Sequence, residues 1–210
     1  YAKTALDDAF LLPDLSPQSL ALTYQKNGQL LSRLDALAVE NLSAENKINH
    51  TILRAQIQND VDEYEFNSHY VPLTSEYGFH SGMSSMVGGH DFSSKSGFEL
   101  YLRRLAQIPR YFSQNIEWMK EGMKVGLTQP QAVLKGYEES IAVFIVQDVT
   151  TSEFYTPFLV NSANLEETEF AELQTQAQRV LTRQVIPAYQ GYFDFFVNEY
   201  KPAARQEIGI

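Results

Sequence analysis

Apolar residues recur at every third or fourth position over most of the chain, the spacing that puts one side of an α-helix against a core. Leu20, Tyr24, Leu30, Leu31, Leu34 and Leu37 predict a first helix reaching about Glu40, behind a turn-rich lead-in "FLLPDLSPQSL". Ser16 stands there as N-cap and Pro17 at the first helical position. A second helix is predicted after Ser43, with Ile48, Ile52, Ala55, Val61 and Tyr64 as its apolar stripe. Two antiparallel helices with a short connection follow. Ser96 and Glu99 have capping-box spacing and open a helix carrying Phe98, Tyr101, Leu102 and Leu105. Pro109 breaks it, and the next helix, with Phe112, Ile116, Met119 and Met123, closes at Gly126. Thr128 with Gln131 predicts a cap for a helix from Pro130 to about Gln147. "VTTSEFYTPFLVNSAN" reads as an irregular connector. Asn164 and Glu167 then cap a helix to Val185, kinked at Pro187. A last segment with Tyr189, Tyr192, Phe193, Phe196 and Tyr200 runs to Pro202.

The predicted fold is therefore all-α, about seven helices in an irregular antiparallel bundle. One stretch departs from the pattern. Residues 75–97, "SEYGFHSGMSSMVGGHDFSSKSG", hold five of the eleven glycines, seven serines and two of the four histidines. A Gly/Ser-rich loop of this length is either a surface excursion or a functional segment. Its glycines allow close backbone approach, so it could lie along a cleft and offer backbone N–H and C=O groups to an extended ligand.

Composition narrows the classes. The chain has 210 residues, 44% of them apolar and 20% charged, which is globular material. A formal net charge of −10, with the basic residues scattered apart from Arg103–Arg104, excludes a nucleic-acid-binding surface. No apolar run approaches the length of a membrane-spanning helix. The absence of cysteine removes disulfides, thiolate metal sites and thiol nucleophiles. The start at Tyr1 and the end at "ARQEIGI" read as a piece of a longer polypeptide, with a removed export signal left open.

The candidate chemistry is thin. His50, His69, His80 and His90 form no H-E-x-x-H or H-x-x-E-H pair, and Glu65 with His69 offers only two ligands. Ser81, Ser84 and Ser85 lie near His80 without the strand-to-helix elbow that exposes a serine nucleophile. The carboxylates Asp60, Asp62, Glu63 and Glu65 read as a solvated helix face. No catalytic residue and no metal ligand is assigned. The positions singled out as substrate-cleft candidates are Tyr77, Gly78, His80, Ser81 and Gly82.

The stretch "YLRRLAQIPRYFSQNIEWMKEGMKVGLTQPQAVL", residues 101–134, carries Y-L-x-R-L-x-x-I-P and then E-G-M-x-x-G-x-x-x-P-x-x-V. With "NHTILRAQIQNDVDEYEF", "VPLTSEYGFHSGM", "TPF" at 156–158 and "FVNEYKPAAR", it resembles the bacterial domain-of-unknown-function 885 family over about residues 15–205. The resemblance implies a longer, often exported or lipid-anchored protein similar to large helical zinc metallopeptidases. Their H-E-x-x-H-type helix lies in a C-terminal half that this chain does not contain. Residues 1–210 are then a single helical region from the N-terminal part, one wall of a substrate cleft. Its implied partners are the C-terminal half of the polypeptide and a peptide substrate, and zinc is expected only in that half. The setting implied is the bacterial cell envelope. The rival reading is a self-standing, non-catalytic helical binding or scaffold domain of the envelope; a small hydrolase using His80 and Ser81 is the third.

Overall fold

The computed structural model describes residues 12–208. Phe10 and Leu11 of the lead-in and both chain ends lie outside the described residues. Seven α-helices of six residues or more are present among them: α1 Pro17–Asp35, α2 Ala44–Glu65, α3 Lys95–Leu105, α4 Ile108–Lys124, α5 Tyr137–Ala142, α6 Glu167–Val180 and α7 Ile186–Phe195. The only β-pairing among the described residues is two isolated bridges, Leu73 with Gly78 and Pro130 with Arg205. The chain is all-α, as its periodicity predicts. Residues 14–70 form one compact unit, and the rest of the described chain forms another.

The first unit is an antiparallel hairpin of α1 and α2. Both helices start where the capping residues place them: Ser16 Oγ accepts from the Ser19 N–H at 3.3 Å and Ser43 Oγ from the Asn46 N–H at 3.2 Å. The first helix stops at Asp35 rather than Glu40, because the chain already turns there toward α2. Arg54 of α2 grips the Asp35 carboxylate from 2.7 Å, and His50 Nε2 meets the Leu34 carbonyl at 3.0 Å. These contacts lie on the side of α2 that faces α1. The predicted stripe is corrected accordingly. Ile57 and Val61 are buried, whereas Ile48 and Ile52 are 61% and 52% exposed.

The second unit is organised by one long rod. The last helix runs from Glu167 through α6, a π turn at Leu181–Val185, α7 and a second π turn at Phe196–Tyr200, to Ala203. Its buried residues are Leu173, Ala177, Leu181, Val185, Tyr189, Tyr192, Phe196 and Tyr200, together with Phe195. α3 and α4, separated at Pro109 as expected, run alongside the rod in the same direction. Phe98 meets Phe170, Phe112 meets Tyr189, and Lys120 reaches Glu199 further on. Parallel neighbours need a long return path, and residues 125–166 supply it. That path carries a 3₁₀ segment, Glu153–Leu159, whose Phe154, Tyr155 and Phe158 enter the core.

Three predicted caps differ from the observed ones. Ser94, not Ser96, caps α3, accepting from the Gly97 N–H at 3.2 Å. Thr128 caps nothing; its hydroxyl accepts from the Arg205 N–H at 3.0 Å, part of the contact that holds the chain's end to this loop. Asn164 adopts φ 49° before α6, which has Glu166 at its N-cap without a side-chain bond. The helix predicted from Pro130 to Gln147 is divided. Gln131–Leu134 is 3₁₀, and Gly136 then takes φ 80° before α5 begins. That left-handed conformation strains any residue with a Cβ and is open to glycine.

Two glycine substitutions should therefore act in opposite directions. A methyl group meets no atom within 4 Å at Gly136 or at Gly28, inside α1. Gly136→Ala should lower unfolding free energy by about 1 kcal/mol through backbone strain, and Gly28→Ala should raise it by up to about 1 kcal/mol through helix propensity. Urea unfolding followed by circular dichroism reads both signs.

Candidate functional site

The Gly/Ser-rich segment is not a surface excursion along its whole length. Leu73, Phe79, His80, Met83 and Met86 are all buried, at spacings that turn one side of the segment inward. A tight turn separates Leu73 from the other four. The Thr74 N–H donates to the Tyr77 carbonyl at 2.7 Å, and the Tyr77 N–H returns to Thr74 Oγ1 at 3.0 Å. The Ser81 hydroxyl then donates to the Gly78 carbonyl at 2.9 Å, locking a 3₁₀ turn over Ser81–Met83. Phe79 drives this wedge against the rod, its ring centroid 4.5 Å from that of Tyr192 and 5.0 Å from that of Phe112.

Of the five positions singled out by sequence, Tyr77 is 70% exposed and Gly82 is also at the surface. Gly78 and Ser81 are half-buried, and His80 is 1% exposed. Gly78 is a close-approach glycine: a Cβ there would strike the Tyr137 hydroxyl and come within 2.9 Å of His80 Nδ1. Ser81 and His80 do not form a nucleophile–base pair, because the Ser81 proton goes to Gly78 and the imidazole turns the other way.

His80 is the centre of a buried polar cluster. Its Nε2 lies 3.0 Å from Ser140 Oγ, and that hydroxyl donates its only proton to the Tyr137 carbonyl at 2.6 Å. Nε2 must therefore carry the hydrogen, leaving Nδ1 as the acceptor facing the Tyr137 hydroxyl at 3.5 Å. The His80 carbonyl accepts from the Tyr189 hydroxyl at 2.9 Å. Burial, only partly offset by Ser140, holds the imidazole down to a pKa of about 4, so it is neutral at pH 7. The same burial pushes Tyr137 up to about 12 and Tyr189 and Tyr192 well above the ordinary tyrosine value. Tyr192's hydroxyl lies close enough to Tyr137's for their ionisations to oppose each other, yet it has no hydrogen-bond partner of good geometry. The Tyr137 hydroxyl has one proton for two acceptors, His80 Nδ1 at 3.5 Å and the Tyr77 carbonyl at 3.4 Å. The neutral imidazole is therefore held chiefly through Nε2, which suits it to holding a segment in place.

A groove of about 940 Å³ opens on the other side of α4, between that helix and the two π turns of the rod. Small residues, Ala106, Ala188 and Gly191, leave its floor low, and the buried rings of Phe112 and Phe195 lie behind it. Lys120 sits 5.3 Å above the Phe195 ring and 3.6 Å from Glu199. Arg183 and Gln184 of the first π turn and Asn198 of the second face this groove. Sequence reasoning passed over them. The available signal was Pro187 and Pro202, each two residues past a π turn. Neither proline can supply the N–H that the carbonyl of Arg183 or Asn198 takes in an α-helix.

The other histidines are tied locally. His90 Nε2 contacts the Gly97 carbonyl at 2.8 Å, and His69 stacks on Tyr64. No three His, Cys, Asp or Glu side chains converge among the described residues. A family model described as "Bacterial protein of unknown function (DUF885)" matches residues 3–209. No curated protein and no solved structure matches the chain.

Two measurements test the His80 cluster. Gly78→Ala should destabilise by about 2 kcal/mol through the clash with Tyr137, and Tyr137→Phe, by removing the hydroxyl, should recover part of that loss in the double variant. His80 has a lower pKa folded than unfolded, so the unfolded chain binds more protons between pH 6.5 and about 4. The stability due to neutral His80 is therefore complete above pH 6.5 and falls as pH drops through this window, by about 3 kcal/mol in all. Urea midpoints should show this component in the native chain and lack it in His80→Gln.

Proposed function

The chain belongs to the bacterial family of unknown function 885, and on that premise we propose that residues 1–210 are the non-catalytic, cleft-forming helical part of a metallopeptidase-like hydrolase. The carrying observation is the groove between α4 and the rod. It is concave and partly apolar, and its polar groups at the π turns are available to a ligand. π turns are frequent at functional sites because they break the regular helical bonding and re-aim side chains. Phe79 and His80 help to hold the rod that forms one side of this groove, so the Gly/Ser-rich segment acts as a support, with Tyr77 and Gly82 left at the surface. Zinc, the water-activating glutamate and the metal ligands come, in this reading, from sequence downstream of Ile210. The setting is the bacterial cell envelope.

A second reading, a helical binding domain with no catalytic partner, draws on the same groove. Arg183, Gln184 and Asn198 need no metal in order to hold a ligand.

Producing residues 1–210 alone and joined to their native downstream sequence separates the two. Chelator-sensitive peptide hydrolysis and one bound zinc per chain should appear only in the longer protein, and Arg183→Ala should raise its KM more than it lowers kcat. A downstream sequence without an H-E-x-x-H-type helix overturns the reading. Hydrolysis by residues 1–210 alone that disappears in His80→Ala overturns it as well.

A further inference from the structure

We propose that the hairpin of α1 and α2 carries a binding pocket for a small organic cation, an ammonium group on an apolar stem. The pocket, of about 480 Å³, lies wholly within residues 14–70. α1 lines it from positions 20, 23, 24 and 27, and α2 from positions 60, 63 and 64, each set lying along one helix face.

Its wall is aromatic. Tyr24 and Tyr64 stack with centroids 4.6 Å apart and planes 22° apart, and His69 continues the stack 5.6 Å beyond Tyr64 at 20°. The Tyr24 hydroxyl donates to Glu65 Oε1 at 2.7 Å, which fixes that ring and leaves its oxygen lone pairs as acceptors. Leu20 extends the apolar surface that a stem would cover.

The rim is anionic and uncompensated. Asp60 and Glu63 line the pocket, and neither carboxylate makes a hydrogen bond or ion pair with another described residue. The neighbouring acids are engaged: Asp62 accepts from Gln58, Glu65 from Tyr24, and Asp35 pairs with Arg54. No lysine or arginine lines the pocket. Burial holds His69 below its ordinary pKa, so at neutral pH the imidazole adds no positive charge. Two free carboxylates beside this apolar surface select against anions and favour a cation whose stem can lie against Leu20 and the stacked rings. A bare divalent metal lacks a third His, Cys, Asp or Glu ligand among the described residues.

The test is a titration of the 210-residue chain with 1,5-diaminopentane, 1-aminopentane, Nα-acetyl-lysine amide and 1-pentanol, followed by NMR of the His69 and tyrosine ring signals. The amines should shift these signals saturably, and 1-pentanol should not. Combining Asp60→Asn with Glu63→Gln should weaken amine binding about tenfold or more, with the thermal unfolding midpoint unchanged as the control for folding. Tighter binding of the lysine amide than of the two alkyl amines assigns the cation to a peptide side chain, and the reverse assigns it to a free amine; either supports the site. Absence of saturable binding, equal shifts with 1-pentanol, or binding unaffected in the double variant overturns it.

Discussion

The larger unit depends on keeping one line of side chains buried along a rod that reaches from Glu167 to Ala203. Leu173, Ala177, Leu181, Val185 and Tyr189 follow each other at intervals of four, and Tyr192, Phe196 and Tyr200 continue at three, four and four. In a regular α-helix a step of four residues overshoots a full turn by about 40°, so this line would drift around the helix and leave the core. The wider π turns at Leu181–Val185 and Phe196–Tyr200 take up the drift. Each stands just before a proline that would have broken the α-helical bonding anyway. Local backbone chemistry and core geometry thus require the same departure at the same places.

What packs on this line is largely aromatic. Phe112, Phe79, Phe144 and Tyr137 meet Tyr189, Tyr192 and Phe196 with centroids 4.5 to 5.0 Å apart. Tyrosines bring hydroxyls into the interior, and buried hydroxyls need partners. The Gly/Ser-rich segment supplies one for Tyr189. The His80 carbonyl takes the Tyr189 proton, and its imidazole lies between Ser140 and Tyr137. The cost is a histidine that must stay neutral, which ties the stability of the fold to pH. Gly78 is part of the same solution, because only a residue without a Cβ lets Tyr137 approach so closely.

The groove and the amine pocket share a logic although they lie in different units. Each is bordered by two helices whose facing stripes carry polar groups left over from packing. In the groove these are Arg183, Gln184 and Asn198, aimed by the π turns. In the hairpin they are Asp60 and Glu63, beside a stacked run of Tyr24, Tyr64 and His69. Membership in a bacterial family of unknown function frames the first site but says nothing of the second.

Helix identity and most helix starts were legible in the sequence, because they rest on local rules. Ser16 and Ser43 cap where their spacing places them, Pro109 opens α4, and Gly126 ends it at φ 75°. Errors came where a distant partner outbid the local one. Thr128 is held by Arg205, and α2 meets α1 through Arg54 and His50 while Ile48 and Ile52 face outward. A local break was missed too: Gly136 divides a helix that periodicity joined. The sequence alone determined an acidic, cysteine-free, all-α chain and marked residues 75–97 as different. Only the tertiary structure decided that His80 points inward, that α3 and α4 run parallel to the rod, and where two grooves open. Those outcomes depend on which buried hydroxyls and rings meet, and residues far apart in sequence meet only once the chain has packed.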